Sequence, residues 1–230
     1  MAERKIYVPM TKKVGVSEIE IEFKWAAGFA VSQKQKNIQA LHEAAWEQRK
    51  IKSILEVSSK SLTEEGIALS AFNLSFTTNK GRILTIETAF QGSKTFELAG
   101  PFVDLYDKKP IEAKKDERLR KSGKLVCFQF FNDRFELNPP TFFYDWLYIN
   151  ALNKNNGLRQ FVLNYEAFTD IEFNPEKSWN CQAYSVALYV SLVKNGMLEK
   201  ALDSKENFKE IVKDEYIRKE RELRKQRDLL

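Results

Sequence analysis

The chain is expected to fold as a compact α+β single domain, mainly helical, with a small antiparallel β-sheet. Three observations predict it. Two pairs of short strand-like segments are each joined by a turn of Asn, Asp or Gly. Several longer segments carry apolar residues at helical spacing. The 230 residues are 43% hydrophobic, with 17 Phe, 8 Tyr and 4 Trp, enough for a sizeable core and too much for a disordered chain.

Residues 1–28 read as an extended N-terminal arm packed on the domain, with Ile6-Tyr7-Val8 and the alternation Ile19-Glu20-Ile21-Glu22-Phe23. Ser32 can cap a helix running to about Lys52, with Ile38, Leu41, Ala45 and Trp46 at helical spacing. Ile54 to Val57 is a short strand, and Ser58 to Gly66 a polar loop. Ala68 to Phe76 leads to the turn Asn79-Lys80-Gly81 and back along Arg82 to Thr85, a hairpin. Thr85 can cap a helix that places Glu87 in its first turn, where a carboxylate is favoured. A basic, largely helical stretch follows Gly100-Pro101 and ends at Lys124.

Leu125 to Phe131 and Arg134 to Leu137 form the second hairpin across Asn132-Asp133. Pro139-Pro140 breaks the chain before an aromatic helix, Phe142 to Leu152. A turn at 153–157, a helix from Leu158 to Tyr165 and a loop from Asp170 to Asn180 come next. Cys181 to Val193 is an apolar helix stopped by Asn195-Gly196. Residues 29–202 are read as the main domain and 203–230 as a charged C-terminal helix.

Several function classes lack support. No run of about 18 apolar residues is present, so no membrane partner is expected. The opening Met1-Ala2-Glu3-Arg4-Lys5 is followed by no apolar stretch of signal type. Cys127 and Cys181 are far apart without paired spacing, which suits a reducing, cytoplasmic setting. One histidine, His42, with these two cysteines cannot make the usual zinc cluster, so no metal is expected. Walker A and G-x-G-x-x-G sequences are missing, and no cofactor is expected.

The net charge of +5 is concentrated. From Lys108 to Lys124 eight basic residues face Glu112, Asp116 and Glu117, a local excess of five. Lys108, Lys109, Lys114, Lys115, Arg118, Arg120 and Lys121 are thus candidates to hold nucleic-acid phosphates. A solvated face would have the same composition.

Glu87, Gln91 and Lys94 stand at i, i+4 and i+7, so one continuous helix would put all three on one face. Glu87 and Lys94 would then lie about 10 Å apart along the axis, with room for a sugar between them. Unrelated polar residues on a surface face would show the same spacing.

The run LSAFNLSFTTNKGRILTIETAFQGSKTF, Leu69 to Phe96, resembles the opening signature of the NADAR (YbiA-like) superfamily. Ser70 and Phe72 match its first element, with the asparagine displaced to Asn73. Glu87, Phe90, Gln91 and Lys94 match its second element, with Thr88 in place of the usual His. Glu112 to Lys115 resembles its Ala-Lys segment, and Leu163 to Glu172 a later element ending in a carboxylate. The family's closing Asp-Trp-Gly is replaced by Ser178-Trp179-Asn180-Cys181-Gln182. Phrases such as FYDWLYINAL and NCQAYSVAL are similar to the branch associated with DarT-type DNA ADP-ribosyltransferase toxins.

That resemblance implies an N-glycosyl hydrolase that takes ADP-ribose off guanine in DNA and acts as the antitoxin to a DarT-type toxin. Its partners would be ADP-ribosylated DNA, with RNA a further candidate, and ADP-ribose as product; direct contact with the toxin is left open. Lys94 would be the nucleophile that forms a Schiff base with the sugar, and Glu87 would hold ribose hydroxyls or shuttle protons. Phe72 and Phe90 would line the pocket, with Asn73 and Gln91 bonding ribose or phosphate oxygens. Trp146 would stack on a base, Asp145 would be a second acid, and Glu172, Asn180 and Gln182 further substrate contacts. Two other readings stay open. One is a NADAR N-glycosidase acting on a small ribosylated metabolite. The other is a non-catalytic module that binds ADP-ribose or the toxin.

Overall fold

A computed structural model describes residues 1–175 and 178–227, the last six of these by backbone alone. Glu176 and Lys177, at the edge of the replaced Asp-Trp-Gly element, and the last three residues of the expected C-terminal helix lie outside the described residues. The elements run β1 (Ala2–Pro9), β2 (Val16–Phe23), α1 (Val31–Arg49), β3 (Ile54–Glu56), α2 (Glu64–Ala68), β4 (Ser75–Thr77) and β5 (Ile83–Thr85). Next come α3 (Ile86–Gly92), β6 (Lys94–Phe96), a 3-10 turn (Val103–Asp107), α4 (Pro110–Lys115), α5 (Arg118–Lys121), β7 (Leu125–Phe130) and β8 (Asp133–Glu136). The chain continues through α6 (Phe142–Lys154), α7 (Asn156–Phe161), β9 (Ala167–Thr169), α8 (Gln182–Lys194), α9 (Leu198–Asp203), α10 (Lys205–Ile211) and α11 (Lys213–Arg227).

The α+β class and the helical majority are as expected. The sheet differs: the two expected hairpins, β4–β5 and β7–β8, fall in separate sheets, the latter extended by β6. A third, four-stranded sheet has the order β2-β1-β9-β3. It contains a strand absent from the sequence reading, β9, which runs parallel to β3 with Glu56 opposite Thr169. At three residues, β9 is too short to show alternation. Residues 2–23, read as an arm, are an eight-residue antiparallel hairpin. The expected C-terminal helix is two, α10 and α11, parted at Val212.

The chain packs as two units, residues 1–70 with 156–215 and residues 71–155 with 216–230. In the first, β1 is covered on both faces, because successive side chains point to opposite sides. Ile6 packs with Ile38 and Leu41 of α1, while Tyr7 meets Tyr184 of α8 edge-on. Helix α8 is apolar all round and buried from Ala183 to Leu192, as a helix enclosed on every side must be.

The strand pair β3–β9 holds two wholly buried carboxyls, Glu56 and Asp170. Glu56 accepts from Thr169 Oγ1 (2.7 Å) and Ile171 N (2.8 Å); Asp170 accepts from Gln182 Nε2 (3.0 Å) and Glu172 N (3.1 Å). His42 Nε2 lies 2.8 Å from Thr169 Oγ1. With that hydroxyl donating to a Glu56 carboxylate, its oxygen accepts from the imidazole, and the Nε2–H tautomer of His42 is the one that fits. Burial lowers the imidazole to about 4, which keeps it neutral. Burial raises both carboxyls; the Glu172 carboxylate adds to it at Glu56, and Glu56 adds to it at Asp170, bringing Asp170 up to about 7.

In the second unit the core is aromatic. Phe143 of α6 lies 4.8 Å from both Phe128 and Phe135 between ring centres, and α3 packs on α6 through Phe90. Helix α3 ends on Gly92, where an added Cβ would lie 2.4 Å from the Tyr106 ring.

Two outcomes follow. Gly92→Ala should cost roughly 1–3 kcal/mol by overpacking against Tyr106. Gly157→Ala, in α7 with nothing within 4 Å of the new Cβ, should stabilise by roughly 0.5 kcal/mol. Urea titrations of both variants check the contrast. For the buried acid pair, a folded-state pKa raised above the unfolded value means stability present at low pH and lost as pH rises through about 7. The melting temperature of Asp170→Asn should therefore gain on that of the wild type between pH 5 and 8, measured as the difference between the two.

Candidate active site

The site is built on α3, a seven-residue helix with every residue buried. Thr85 ends β5 and caps α3: its hydroxyl accepts from Thr88 N, while Thr88 Oγ1 accepts from Thr85 N at 3.1 Å. Thr88, which stands where the NADAR signature has histidine, thus closes a capping box. The next two amide donors reach back to the preceding segment, Ile86 N to Leu74 O and Glu87 N to Ala71 O, both 2.9 Å. Phe72 and Asn73 are carried between those two anchor points.

The helix stops at Gly92, with Ser93 bonded back to Ala89 O and to Tyr106 OH. Lys94 begins β6 and pairs with Phe128 of β7. The continuous helical face expected for Glu87, Gln91 and Lys94 is therefore corrected. The turn through Ser93 carries Lys94 off the helix, and sheet pairing, not i+7 spacing, sets its place. Gly100 fits beneath this turn at φ +108°, where a Cβ would lie 2.5 Å from Lys94 O.

The Lys94 ammonium lies 4.9 Å from the centre of the Phe90 ring and, among the described residues, makes no hydrogen bond and no ion pair. Phe90 is itself walled in by Phe128 (5.1 Å), Phe143 (6.0 Å) and, edge-on, Tyr144 (5.3 Å). Removal from water lowers the amine to about 8; the nearby Glu87 carboxylate works against this and Lys114 works with it. Glu87 is 6% exposed, which requires its charge to be met from inside. Its Oε1 accepts from Gln91 Nε2 at 2.7 Å, and its Oε2 stands 3.8 Å from Lys114 Nζ. Lys114 in turn lies 4.9 Å over the ring of Phe72. Gln91 keeps one atom unmatched: its Oε1 is buried without a partner.

The structure thus brings together Lys94, Glu87, Gln91, Phe90 and Phe72. It adds three residues that the sequence reading left out of the centre: Phe128, Tyr144 and Lys114. Lys114 stood in the sequence as one cation among eight and within the segment resembling the family's Ala-Lys element, with no role assigned to it at the centre. Asn73 is exposed in the loop before β4. Asp145 is wholly buried, with Oδ2 accepting from Thr141 Oγ1 (2.7 Å) and Tyr216 OH (3.3 Å), so this carboxylate joins α6 to α11. Trp146 packs on Phe135 (5.1 Å) and Phe130 (6.5 Å), in the aromatic core.

Three of the expected substrate contacts belong to the other unit. Glu172 forms a 3.0 Å ion pair with Lys34, Asn180 bonds Ser178 through its backbone, and Gln182 bonds Asp170 and Val57 O.

The basic stretch divides. Arg118 is held by both Asp104 and Asp116, Lys121 pairs with Glu117, and Lys114 faces Glu87. Lys108, Lys109, Lys115 and Arg120 are exposed and make no ion pair among the described residues.

Among the described residues, no three His, Cys, Asp or Glu side chains converge as metal ligands, and no helix is long and apolar enough to cross a membrane. No curated protein matches the chain. The family model of the DarT1-associated NADAR antitoxin matches residues 2–222, a span that takes in both units and every residue of the lysine–carboxylate centre. By that match, the chain belongs to the family of DarT1-associated NADAR antitoxins.

Proposed function

We propose that this antitoxin is an N-glycosyl hydrolase that removes ADP-ribose from guanine in DNA through a covalent intermediate on Lys94. The observation that carries the reading is the Lys94 amine: set against an aromatic wall, without a hydrogen bond or ion pair among the described residues, and lowered to about 8. A lysine in that state is a nucleophile held in reserve, because its neutral form needs no counter-charge.

The steps balance around one water. The neutral amine attacks the anomeric carbon, and the bond from that carbon to the base breaks, the base keeping the electron pair and taking up a proton. The sugar then opens: its ring oxygen is protonated and a carbon–nitrogen double bond to Lys94 forms. Water adds to that carbon, the bond to Lys94 breaks, and free ADP-ribose leaves with the amine restored. Glu87, the buried carboxylate of the same centre, moves the protons. Gln91 offers an unmatched carbonyl oxygen, which can only accept, so it suits a ribose hydroxyl and not a phosphate oxygen. The exposed cations Lys108, Lys109, Lys115 and Arg120 suit the phosphates of a DNA substrate.

The direct test supplies DNA carrying ADP-ribosylated guanine and measures released ADP-ribose. The wild type should release it and be trapped as an adduct by borohydride. Lys94→Ala should lose at least ~10³-fold in rate and all trapping. Normal release by Lys94→Ala would remove the lysine from the mechanism, and no release by the wild type would remove the hydrolase. Glu87→Gln should lose about 10²-fold or more. Since the protonated amine cannot attack, the single-turnover rate should climb with pH to a midpoint near 8; at pH 7 only about a tenth of the amine is free. Charge reversal at Lys108, Lys109, Lys115 or Arg120 should lower the salt dependence of DNA binding by about one unit of slope each. Arg118→Ala, already neutralised by Asp104 and Asp116, should change that slope little.

A further inference from the structure

A carboxylate and an amine in one buried centre would ordinarily form an ion pair, and an ion pair would hold the amine protonated. Here both oxygens of Glu87 are engaged elsewhere. Oε1 accepts the 2.7 Å hydrogen bond from Gln91, one turn along α3, and Oε2 faces the ammonium of Lys114 at 3.8 Å. Lys114 reaches this position from α4, which packs on α3, and its ammonium is steadied over the Phe72 ring. Lys94 meets the Phe90 ring instead of a carboxylate.

The charges around Lys94 are few. Helix α3 brings Glu87 and α4 brings Lys114. Strand β7 places Phe128 opposite Lys94 and the Cys127 thiol opposite Thr95. Helix α6, packed on α3, brings the rings of Phe143 and Tyr144 against Phe90. Whether Glu87 turns toward Lys94 is thus decided by its two captors.

We propose that Gln91 and Lys114 are positioning residues which, by taking one oxygen of Glu87 each, keep that carboxylate from pairing with Lys94 and leave the amine free to react. This moves Lys114 out of the DNA-binding stretch and into the machinery of the centre. It rests on the reading of Lys94 as nucleophile, so the test reads the amine and not turnover.

The intact protein is acetylated with acetic anhydride across a pH series. Modification of the Lys94 peptide is quantified by mass spectrometry against the exposed Lys80 as internal reference. In the wild type the labelling midpoint of Lys94 should fall well below that of Lys80. Lys114→Met, a change at a half-exposed side chain, and Gln91→Leu should each raise it by about one unit, which is about tenfold less labelling at pH 7. Lys114→Arg should restore the wild-type midpoint.

In a Glu87→Gln background, Lys114→Met should shift the midpoint by much less than in the wild type, leaving only the direct repulsion between the two amines. A full shift in that background would mean that Lys114 acts on Lys94 by its own charge alone, and midpoints unmoved in both single variants would overturn the proposal outright. Failure of ADP-ribose release alongside these shifts would refute the hydrolase alone. Release with an indifferent midpoint would refute the positioning role alone.

Discussion

A helix buried along its whole length must have its polar groups answered from within the fold, and α3 is such a helix, with the Gln91 carbonyl oxygen left as an exception. Its first amides are answered by Leu74 O, Ala71 O and the Thr85–Thr88 box, its end by Ser93 and the ring of Tyr106. Only then does the Glu87 carboxylate remain, and Gln91 with Lys114 complete it. The same answers place the chemistry. The backbone bonds at 71 and 74 fix the segment that carries Phe72, and the stop at Gly92 sends Lys94 into β6 against Phe128. The geometry around the amine is thus a by-product of burying all seven residues of α3.

Much of this was legible in the sequence, for reasons that can be traced. Thr85 as a cap and Glu87 in the first turn were readable because capping is local chemistry. The hairpin turn at Gly81 was readable because its φ of +79° favours glycine. The length of α3 was not. Gly92-Ser93 breaks the helix through a contact with Tyr106, fourteen residues downstream of the glycine, and no spacing rule carries that information. Strand β9 and the Glu56–Asp170 pair were hidden for the same reason, since the partners are more than a hundred residues apart. Nor could charge alone tell Lys114 from its basic neighbours. A count of charges records how many cations there are, whereas their roles depend on whether Asp104, Glu117 or Glu87 stands opposite.

Two of the buried carboxylate arrangements make a useful contrast. Glu87 lies beside two amines, one charged and facing its oxygen, the other lowered by burial. Glu56 and Asp170 have neutral donors and the further carboxylate of Glu172 beside them, so burial and repulsion both press them toward protonation. What separates them is the sign of the charge nearby: an ammonium faces Glu87, whereas carboxylates face Glu56 and Asp170.

The parallel pairing of β3 with β9 has a consequence for how the molecule is made. Glu56 meets Thr169 only after the whole stretch between them has left the ribosome. The carboxylate of Asp145 likewise waits for the hydroxyl of Tyr216. Both units therefore close through late-arriving segments, and long-range closure of this kind is the slow part of folding. A nascent chain halted short of α11 would hold the lysine and its carboxylate but lack the closure that shuts their unit.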